Sequence, residues 1–379
     1  MNRTVCFCNG NRAWGGGEKW HLEAALGLAR RGCRVFLMAA EGAPLCERAS
    51  AHSELTVIPK RFSNLDFLNP FTLNSCAAFF KKERVERVIL GLPLDMKVAG
   101  VAAKKAGVPG IFYRRGSAVP VKNTRFNRYL YRDVLTGLIV NSHETARLVF
   151  AGGDVIDPKK VHVLYNGIDV EAFDAALAAA SPFPQIKRGN LPVIGNAGRL
   201  TAQKGQQYLL HMSRALLDAG VGHILAVAGD GERREELQKL ATGLSLDGTA
   251  VFTGFLSDMA PFWRSVDYFV LSSLWEGFGY VLAEGMLAGK PVVAFDGNSM
   301  PEIVRHGETG ALVPMPGAGE SPEAVGKRLA KTVQGLIEQK EAAARLAANG
   351  REFCRETFGQ EASIKRLLAL LWPENTTEL

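Results

Sequence analysis

The chain has 379 residues, which at about 150 residues per domain predicts two domains or one large one. Hydrophobic residues make up 47% and charged residues 22%, proportions that exclude a fibrous or wholly disordered protein. No stretch approaches 18 uninterrupted apolar residues, so no membrane-spanning helix is expected. Residues 1–180 carry 25 Lys and Arg against 16 Asp and Glu, whereas residues 181–379 carry 20 against 22. The basic first half is therefore expected to meet an anionic surface or substrate.

The six cysteines are scattered, and none forms a C-x-x-C pair. The apolar segment at the N-terminus is too short for a signal peptide and instead predicts a first strand. We therefore expect buried, reduced thiols and a cytoplasmic protein, located either free or at the inner face of the cytoplasmic membrane.

Short apolar segments alternate with amphipathic helical segments along residues 1–170, which we assign to an N-terminal domain. Such βαβ alternation builds a parallel sheet with helices on both faces. The predicted strands are 4–8, 34–38, 55–58, 87–90, 110–113, 137–141 and 161–164. The predicted helices include 17–31, 70–82 and 97–106.

The alternation stops over residues 171–190, which contain an alanine-rich helical piece and a Pro-rich piece and are predicted to be an interdomain linker. A second domain, 191–350, then repeats the pattern. Its predicted strands are 192–197, 223–228, 250–253, 268–271, 291–295 and 311–313. Its predicted helices are 206–219, 233–242, 280–287 and 323–348. A last helix is expected at 351–372, within a C-terminal segment 351–379.

The fold class is therefore α/β, with two doubly wound, Rossmann-like domains. Ligands of such sheets bind outside the carboxyl ends of the strands. Two of these domains facing each other across a cleft would let a donor and an acceptor meet.

Three loops at strand ends carry residues suited to binding an anion. The first contains Gly16 and Gly17 ahead of a helix, and its bare backbone amides could approach a phosphate, although a merely tight turn is the alternative. The second places Arg199 and Lys204 five residues apart, where both could reach one diphosphate, although loop cations are often simply solvated. The third, 276–284, brackets a glycine loop with Glu276 and Glu284, and carboxylates accept well from sugar hydroxyls, although one solvated Glu and one Glu on a helix face is the alternative.

Taken together, these motifs resemble glycosyltransferase family 4, whose members are retaining, nucleotide-sugar-dependent enzymes of the GT-B fold. The motifs are G-R-L-x-x-x-K-G at 198–205, G-D-G at 229–231, E-x7-E at 276–284, the glycines at 15–17 and N-G-I-D at 166–169. Each motif alone is weak, but all five occur in the family's order and span nearly the whole chain.

The resemblance implies a role for each matching residue. Arg199 and Lys204 would hold the donor diphosphate and stabilise the leaving group, while Glu276 would bind the transferred sugar and Glu284 the ribose. Gly16 and Gly17 would close over the diphosphate, and the last helix would pack back on the first domain. The amides of Phe278 and Gly279 would also face the donor.

The resemblance also implies transfer without a metal or other cofactor, because the chain has no Asp-x-Asp and the two cations could stabilise the departing phosphate instead. Two departures affect the details. Many relatives carry a His after the fifth strand, where this chain has Arg114 and Arg115. The loop 297–302 is also less glycine-rich than in relatives, which leaves the sugar preference open.

Basic and aromatic residues are interleaved over 113–132, and Arg125 and Arg128 share one helical face. With Arg114 and Arg115 they form a candidate face for an anionic acceptor or an anionic membrane. A solvated basic surface is the alternative, and nucleic-acid binding is disfavoured.

The sequence thus predicts a glycosyltransferase that moves a hexose-type sugar from a nucleotide diphosphate donor to a saccharide or lipid-linked acceptor. The resemblance implies a setting in lipopolysaccharide or surface polysaccharide synthesis, with peripheral contact at the membrane. The alternatives are a non-catalytic nucleotide-sugar or glycan-binding module and a nucleotide-sugar epimerase of the GT-B fold.

Overall fold

A computed structural model describes residues 3–60, 62–186 and 189–373. The chain divides into two compact units. The first unit comprises Met1–Gly167 together with Gln360–Leu379, and the second comprises Ile168–Gly359. Among the described residues, none of the helices is both long and apolar enough to span a bilayer.

The first unit is built on a seven-stranded parallel sheet in the order β3-β2-β1-β4-β5-β6-β7. Its strands are β1 (Thr4–Asn9), β2 (Arg34–Ala39), β3 (Leu55–Pro59), β4 (Arg87–Leu90), β5 (Gly110–Arg115), β6 (Gly137–Val140) and β7 (Val161–Val163). Strands β2 and β3 extend the sheet on one side of β1. The next strand, β4, pairs with β1 on its other side, with Cys8 opposite Leu90.

Helices connect these strands, as parallel pairing requires. They are α1 (Gly16–Ala29), α2 (Pro44–Ser50), α3 (Pro70–Lys82), α4 (Pro93–Asp95), α5 (Val101–Ala106), α6 (Arg125–Arg128) and α7 (His143–Phe150). Short 3-10 turns occur at Asp66–Leu68 and Pro158–Lys160, and wider π turns at Met96–Gly100 and Tyr129–Val134.

The second unit has a six-stranded parallel sheet in the order β10-β9-β8-β11-β12-β13. Its helices and strands follow in chain order. They are α8 (Val170–Ala179), β8 (Val193–Ala197), α9 (Gln206–Asp218), β9 (Ile224–Ala228), α10 (Arg234–Gly243), β10 (Ala250–Gly254), α11 (Ala260–Ser265), β11 (Tyr268–Leu271), α12 (Tyr280–Leu287), β12 (Val292–Asp296), α13 (Met300–Ile303), β13 (Ala311–Pro314), α14 (Pro322–Glu338) and α15 (Lys340–Phe358). A 3-10 turn at Ala202–Lys204 follows β8.

The predicted fold class is confirmed, since both units are doubly wound parallel sheets and every predicted strand is present to within a few residues. The physical reason is that strands covered on both faces must be apolar along their whole length, which gives a strong sequence signal.

The predicted helix 351–372 is wrong as a single element. Residues 351–358 complete α15 in the second unit, and the helix ends before Gly359. The next helix, α16 (Gln360–Leu371), belongs to the first unit. A side chain at Gly359 would meet the carbonyl oxygen of Arg355 at 2.6 Å, so only glycine allows this close turn.

The boundary predicted for the linker also differs from the structure. The second unit begins at Ile168, and α8 occupies much of the segment 171–190. The α8 helix is held by its own contacts, because Asp169 caps its N-terminus and Asp174 accepts hydrogen bonds of 2.8 Å from Arg351. Lys187 and Arg188 of the predicted linker lie outside the described residues.

The core of the first unit has one layer on each face of the sheet, and alternate residues of β1 enter opposite layers. Cys6 and Cys8 pack with α3 on one face, whereas Val5 and Phe7 pack with α1 and α16 on the other. All six thiols are buried and unbridged. The last helix is anchored at its end, where the Trp372 indole donates to the Glu86 carboxylate at 2.8 Å.

The packing of α16 against α1 generates the first prediction. A Cβ built at Gly27 of α1 would lie 2.7 Å from the Ile364 side chain of α16, so the small residue is what permits this contact. We expect Gly27→Val to lower the free energy of unfolding by about 1–3 kcal/mol through overpacking.

Two further variants test the cause of that loss, by urea titration followed by circular dichroism. Adding Ile364→Ala should recover part of the stability, because it removes the obstructing atoms. Gly335→Ala is the control, since Gly335 lies within α14 with nothing close to its Cβ position and should gain up to about 1 kcal/mol. Equal losses at Gly27 and Gly335 would contradict the packing explanation.

Candidate functional site

In the second unit, the loops that follow β8, β11 and β12 start from neighbouring strands of one parallel sheet. The carboxyl ends of parallel strands lie along the same edge, so these loops are brought together. Arg199 and Lys204 lie in the first loop, and Glu276 lies in the second. The sequence-predicted residues of this half therefore converge from positions about seventy residues apart.

The centre of this loop cluster is an ion pair between the Lys204 ammonium and Oε1 of Glu276. Only 14% of the Lys204 side chain and 9% of the Glu276 side chain are exposed. The same Glu276 oxygen accepts a hydrogen bond of 2.8 Å from the Ser273 hydroxyl. A carboxylate this far from water needs such partners, because an unpaired buried charge is strongly unfavourable.

Hydrogen bonds to backbone carbonyls join the three loops around the pair. The Leu274 amide donates to the Gln203 carbonyl at 2.8 Å, and the Ser272 hydroxyl donates to the Lys204 carbonyl at 2.9 Å. The loop after β12 adds the Ser299 hydroxyl, which donates to the Glu276 carbonyl at 3.1 Å. The three loops around the pair are thus joined to one another by hydrogen bonds.

Two glycines make this arrangement of loops sterically possible. Gly205 has a φ of +60°, and a Cβ there would lie 2.3 Å from the Ser272 carbonyl oxygen. Gly229, the first glycine of the G-D-G motif, has a φ of +133°, and its Cβ would lie 1.9 Å from the Gly198 carbonyl oxygen. Both motifs are therefore needed for the close approach of neighbouring loops.

The other predicted donor-binding residues of this half surround the pair less closely. The Arg199 side chain is exposed, while its carbonyl accepts from the Gln206 side chain at 2.9 Å. Phe278 is buried against the rings of Tyr280 and Phe358. Gly279 is buried and caps α12 with a φ of +85°, a conformation that favours glycine.

Glu284 lies within α12 and lines a cavity of about 140 Å³. Phe173 and Leu177 of α8, together with Trp263 of α11, form the apolar part of its wall, and Asp258 is a second acidic wall residue. Lys204 and Glu276 are not part of this wall. The two carboxylates of the E-x7-E motif therefore have different surroundings in this structure, one in the loop cluster and one in the cavity beside α8.

In the first unit, Gly16 and Gly17 begin α1 immediately after the β1 loop. The next residue, Glu18, is buried and accepts from the Asn11 side chain at 2.9 Å. Arg114 is only 6% exposed, donates to the Asn166 side chain at 2.7 Å and lies over the Trp20 ring. A Cβ built at Gly17 would come within 3.7 Å of the Arg114 guanidinium, so the predicted glycine loop borders a buried cation.

Sequence reasoning missed two buried titratable residues near this loop, Asp95 and His21. Asp95 accepts from the amides of Gly10, at 3.2 and 3.4 Å, and Leu92, at 2.9 Å. Burial nonetheless raises the pKa of the Asp95 carboxyl to about 7, with a smaller contribution from Glu18. The available signal was its position just after β4, beside the end of β1.

The His21 imidazole lies between Phe7 and Trp20, with Nδ1 2.9 Å from the Gly17 carbonyl oxygen. Burial, with a smaller contribution from the nearby Arg114, lowers the pKa of His21 to about 3 against the opposing effect of the Gly17 hydrogen bond. Its Nε2 is buried with no hydrogen-bond partner. The ring is therefore neutral at physiological pH and borders the same glycine loop.

The four arginines predicted to form one acceptor or membrane face do not share one environment. Arg114 and Arg115 lie at the end of β5 and are buried, so they cannot form part of a membrane-facing surface. The Arg115 guanidinium donates to the Val119 carbonyl. By contrast, Arg125 is exposed and Arg128 is half-buried in α6. The physical reason is that β5 lies inside the sheet, whereas α6 lies on its surface.

Comparison with known proteins places both units in one family. The family model described as "Glycosyltransferase Family 4" matches residues 14–172, and the one described as "Glycosyl transferases group 1" matches residues 191–334. Together they span most of both units. The chain belongs to glycosyltransferase family 4.

Among curated relatives, the chain is 33% identical over 180 residues to the lipopolysaccharide core biosynthesis glycosyltransferase LpsE of Rhizobium meliloti (strain 1021). This match covers 48% of this chain and 49% of LpsE. The chain thus spans about half the length of the first curated relatives it matches.

Among solved structures, a glycosyltransferase from Rickettsia africae superimposes with a TM-score of 0.84 at 18% identity, covering 99% of both chains. HepE of Anabaena, in complex with UDP and glucose, superimposes with a TM-score of 0.79 at 21% identity, covering 97% of this chain and 98% of HepE. These likenesses establish the GT-B fold predicted from the sequence.

The Lys204–Glu276 pair generates a stability prediction. We expect Lys204→Met to lower the free energy of unfolding by about 3 kcal/mol, because it leaves a buried carboxylate without its cation. Lys204→Met combined with Glu276→Gln should lose clearly less, since the stranded charge is gone. Lys327→Met is the control, because its pair with Glu323 is largely exposed and should contribute less than about 1 kcal/mol.

These variants are compared by urea titration followed by circular dichroism. Glu276→Gln alone is measured in the same way. A double variant that loses as much stability as Lys204→Met and Glu276→Gln added together would show that the two residues are not coupled and would contradict the buried pair.

The lowered pKa of His21 generates a pH prediction. Between pH 6.5 and about 3 the unfolded chain protonates this imidazole while the folded chain keeps it neutral, so acidification favours unfolding. We expect the free energy of unfolding of the wild type, relative to His21→Gln, to fall by about 2 kcal/mol between pH 7.5 and pH 5.

Urea titrations of both proteins at the two pH values measure this difference. Comparing the two proteins cancels titrations that they share, including that of Asp95. His162→Gln is the control, because His162 is half-buried and burial lowers its pKa by less than that of His21. The stability of the wild type relative to His162→Gln should therefore change less over the same pH range. Parallel pH profiles for wild type and His21→Gln would contradict a buried neutral ring.

Proposed function

We propose that the protein is a retaining glycosyltransferase that moves a hexose-type sugar from a nucleotide diphosphate donor to a saccharide or lipid-linked acceptor. The observation that carries the proposal is the Lys204–Glu276 pair at the carboxyl edge of the second sheet, with Arg199 in the same loop as Lys204. It joins a cation suited to a diphosphate and a carboxylate suited to sugar hydroxyls in one loop cluster.

Glycosyl transfer develops negative charge on the departing diphosphate. In our proposal Lys204 and Arg199 stabilise that charge, and no divalent metal is needed for this step. Cations that are held in place before the reaction are worth more than cations that must reorganise during it. Lys204 meets this condition, because its loop is fixed by the hydrogen bonds to the loop after β11.

The ion pair also suggests how the site responds to its donor. A diphosphate competes with Glu276 for the Lys204 ammonium, since both are oxyanions. When Lys204 turns to the phosphate, Glu276 Oε1 becomes available to accept from a hydroxyl of the sugar, while Ser273 keeps the carboxylate in place. One exchange of partners thereby ties phosphate binding to sugar binding.

The known relatives favour particular donors and settings. HepE was solved with UDP and glucose, which makes a uridine diphosphate hexose the first donor to test. LpsE is named for lipopolysaccharide core biosynthesis, which supports a role in surface polysaccharide assembly at the inner face of the cytoplasmic membrane. The retaining stereochemistry rests on the family resemblance, and NMR of the product's anomeric carbon would test it.

Thermal stabilisation by a panel of nucleotide diphosphate hexoses, with and without EDTA, tests donor binding directly. A ligand at 100 times its Kd stabilises by about 2.7 kcal/mol, which gives an easily measured shift. A shift with one donor that survives EDTA would support the donor site and its independence of metal. No shift with any donor would favour the binding of a different ligand and contradict the proposal.

Turnover separates the enzyme from its two alternatives. A binding module would hold the donor without releasing nucleotide, whereas an epimerase would convert the sugar without needing an acceptor. Release of nucleoside diphosphate that depends on an added lipid or saccharide acceptor would exclude both.

We expect Glu276→Ala and Lys204→Ala each to lower kcat/KM for transfer by at least about tenfold, because each removes a group that contacts the reacting donor. Arg199→Ala should also lower it, and it is the cleaner test, because this exposed side chain contributes little to stability. Arg214→Ala is the control, since that arginine pairs with Asp218 on the surface of α9. Initial rates of nucleotide release measure the effect, and wild-type rates would remove the substituted residue from the site.

A further inference from the structure

Exposed hydrophobic side chains are concentrated on one part of the first unit. We call Leu65, Leu68, Phe71, Phe126 and Tyr129 the hydrophobic surface. Each of these large side chains is exposed, and Phe71 is exposed to 83%. Single exposed hydrophobic residues are ordinary, but a cluster on a water-soluble domain marks an interaction site.

The local backbone explains why three of these residues point to solvent together. Leu65 immediately precedes the 3-10 turn Asp66–Leu68, and Phe71 is the second residue of α3. Leu65, Leu68 and Phe71 are therefore all located in or beside this turn or in the first turn of the helix that follows it, and all three are exposed. The Asn69 side chain caps α3 and fixes this protruding turn.

Ring contacts join this turn to the second segment, although the two are far apart in sequence. The Phe67 and Phe126 ring centroids are 5.6 Å apart, and those of Phe126 and Tyr129 are 6.4 Å apart. The contact of Phe67 with Phe126 thus brings the two segments that carry the exposed hydrophobic residues next to each other.

Cations border this region at close range. The Lys97 ammonium lies 5.8 Å from the Phe67 ring centroid and 5.9 Å from that of Phe126. The Lys104 ammonium lies 5.4 Å from the Tyr129 ring centroid. Lys122 and Arg125 are exposed nearby in sequence.

Acidic side chains are nearly absent from the same two segments. Residues 62–74 and 116–132 contain a single carboxylate, Asp66. That carboxylate is turned to its own backbone, where it accepts from the Ser63 amide at 2.6 Å. The surface therefore combines protruding hydrophobic groups with bordering lysines.

We propose that the hydrophobic surface docks the protein on an anionic phospholipid membrane, with Leu68 and Phe71 entering the interface and the lysines contacting the headgroups. Amphipathic surfaces that bind bilayers combine these two features. Lysine is depleted in protein–protein interfaces, so the border of Lys97, Lys104 and Lys122 favours lipid over a protein partner. Lys and aromatic side chains are also well suited to the boundary between headgroups and acyl chains.

This inference deepens the proposed function, because a lipid-linked acceptor would be reached at such a membrane. It also relocates the predicted membrane face. Arg114 and Arg115 are excluded by burial, whereas Arg125 is retained beside residues 65–71, which the sequence analysis did not select.

The test is co-sedimentation of the purified full-length chain with vesicles of phosphatidylcholine alone or with about one-third phosphatidylglycerol. We expect binding to the anionic vesicles that weakens with salt. Leu68→Ser combined with Phe71→Ser should lower the vesicle partition coefficient at least about tenfold, since it removes two groups buried in the interface. Lys104→Gln combined with Arg125→Gln should lower binding to anionic vesicles only.

Phe255→Ser is the matched control. Phe255 is a similarly exposed aromatic residue, at 77%, but it lies in the second unit, outside the hydrophobic surface. Its variant should bind vesicles as the wild type does. Wild-type protein that binds neither vesicle, or equal losses for the control and the Leu68–Phe71 variant, would overturn the proposal.

Two measurements distinguish the alternatives from the proposal. Analytical ultracentrifugation without lipid should give the same mass for wild type and the Leu68–Phe71 variant. A wild-type dimer that the variant disperses would instead assign this surface to contact between copies of the chain and overturn membrane docking. Thermal shift with nucleotide-sugar donors should be unchanged in the variant, so a failure of donor binding and a failure of vesicle binding are read separately.

Discussion

The burial of one carboxylate is the constraint on which the second unit's loop cluster depends. Glu276 lies at the carboxyl edge of a parallel sheet, where neighbouring loops leave little access to water. Its charge requires a cation, and Lys204 of the loop after β8 supplies it. The close turns at Gly205 and Gly229, and the hydrogen bonds between the loops, all serve to bring that lysine to that carboxylate. Several of the family's motifs thus act together to place one lysine beside one buried carboxylate.

Much of the fold could be predicted from the sequence because central strands of parallel sheets are apolar throughout. All thirteen strands follow from that signal. The C-terminal region was harder, because α15 and α16 have continuous helical periodicity and are separated only by Gly359. The helix ends at a close turn against the Arg355 carbonyl that only glycine allows, and periodicity does not record this. The helical piece in 171–190 was recognised but assigned to a linker, because the local sequence does not show that α8 is held by the distant Arg351.

The candidate site was predictable in part. The motifs located Arg199, Lys204, Glu276 and Glu284 in the correct loops and helix, and their roles remain predictions. The sequence did not reveal that Lys204 and Glu276 pair directly, because that contact depends on which strands are neighbours. Burial was the main error in the first unit. A run of cations over 113–132 suggests one exposed face, yet β5 carries two of them into the interior, where Arg114 finds Asn166 and the Trp20 ring.

The burial of Asp95 and His21 determines which protons are exchanged when the first unit unfolds. Near pH 5 the folded protein keeps the proton on Asp95 and leaves His21 neutral, since burial raises the pKa of the first to about 7 and lowers that of the second to about 3. Unfolding reverses both states, because Asp95 then ionises and His21 becomes charged. One proton is released as one is bound, so these two residues together make unfolding proton-neutral, and the enthalpy of their combined titration is independent of the buffer.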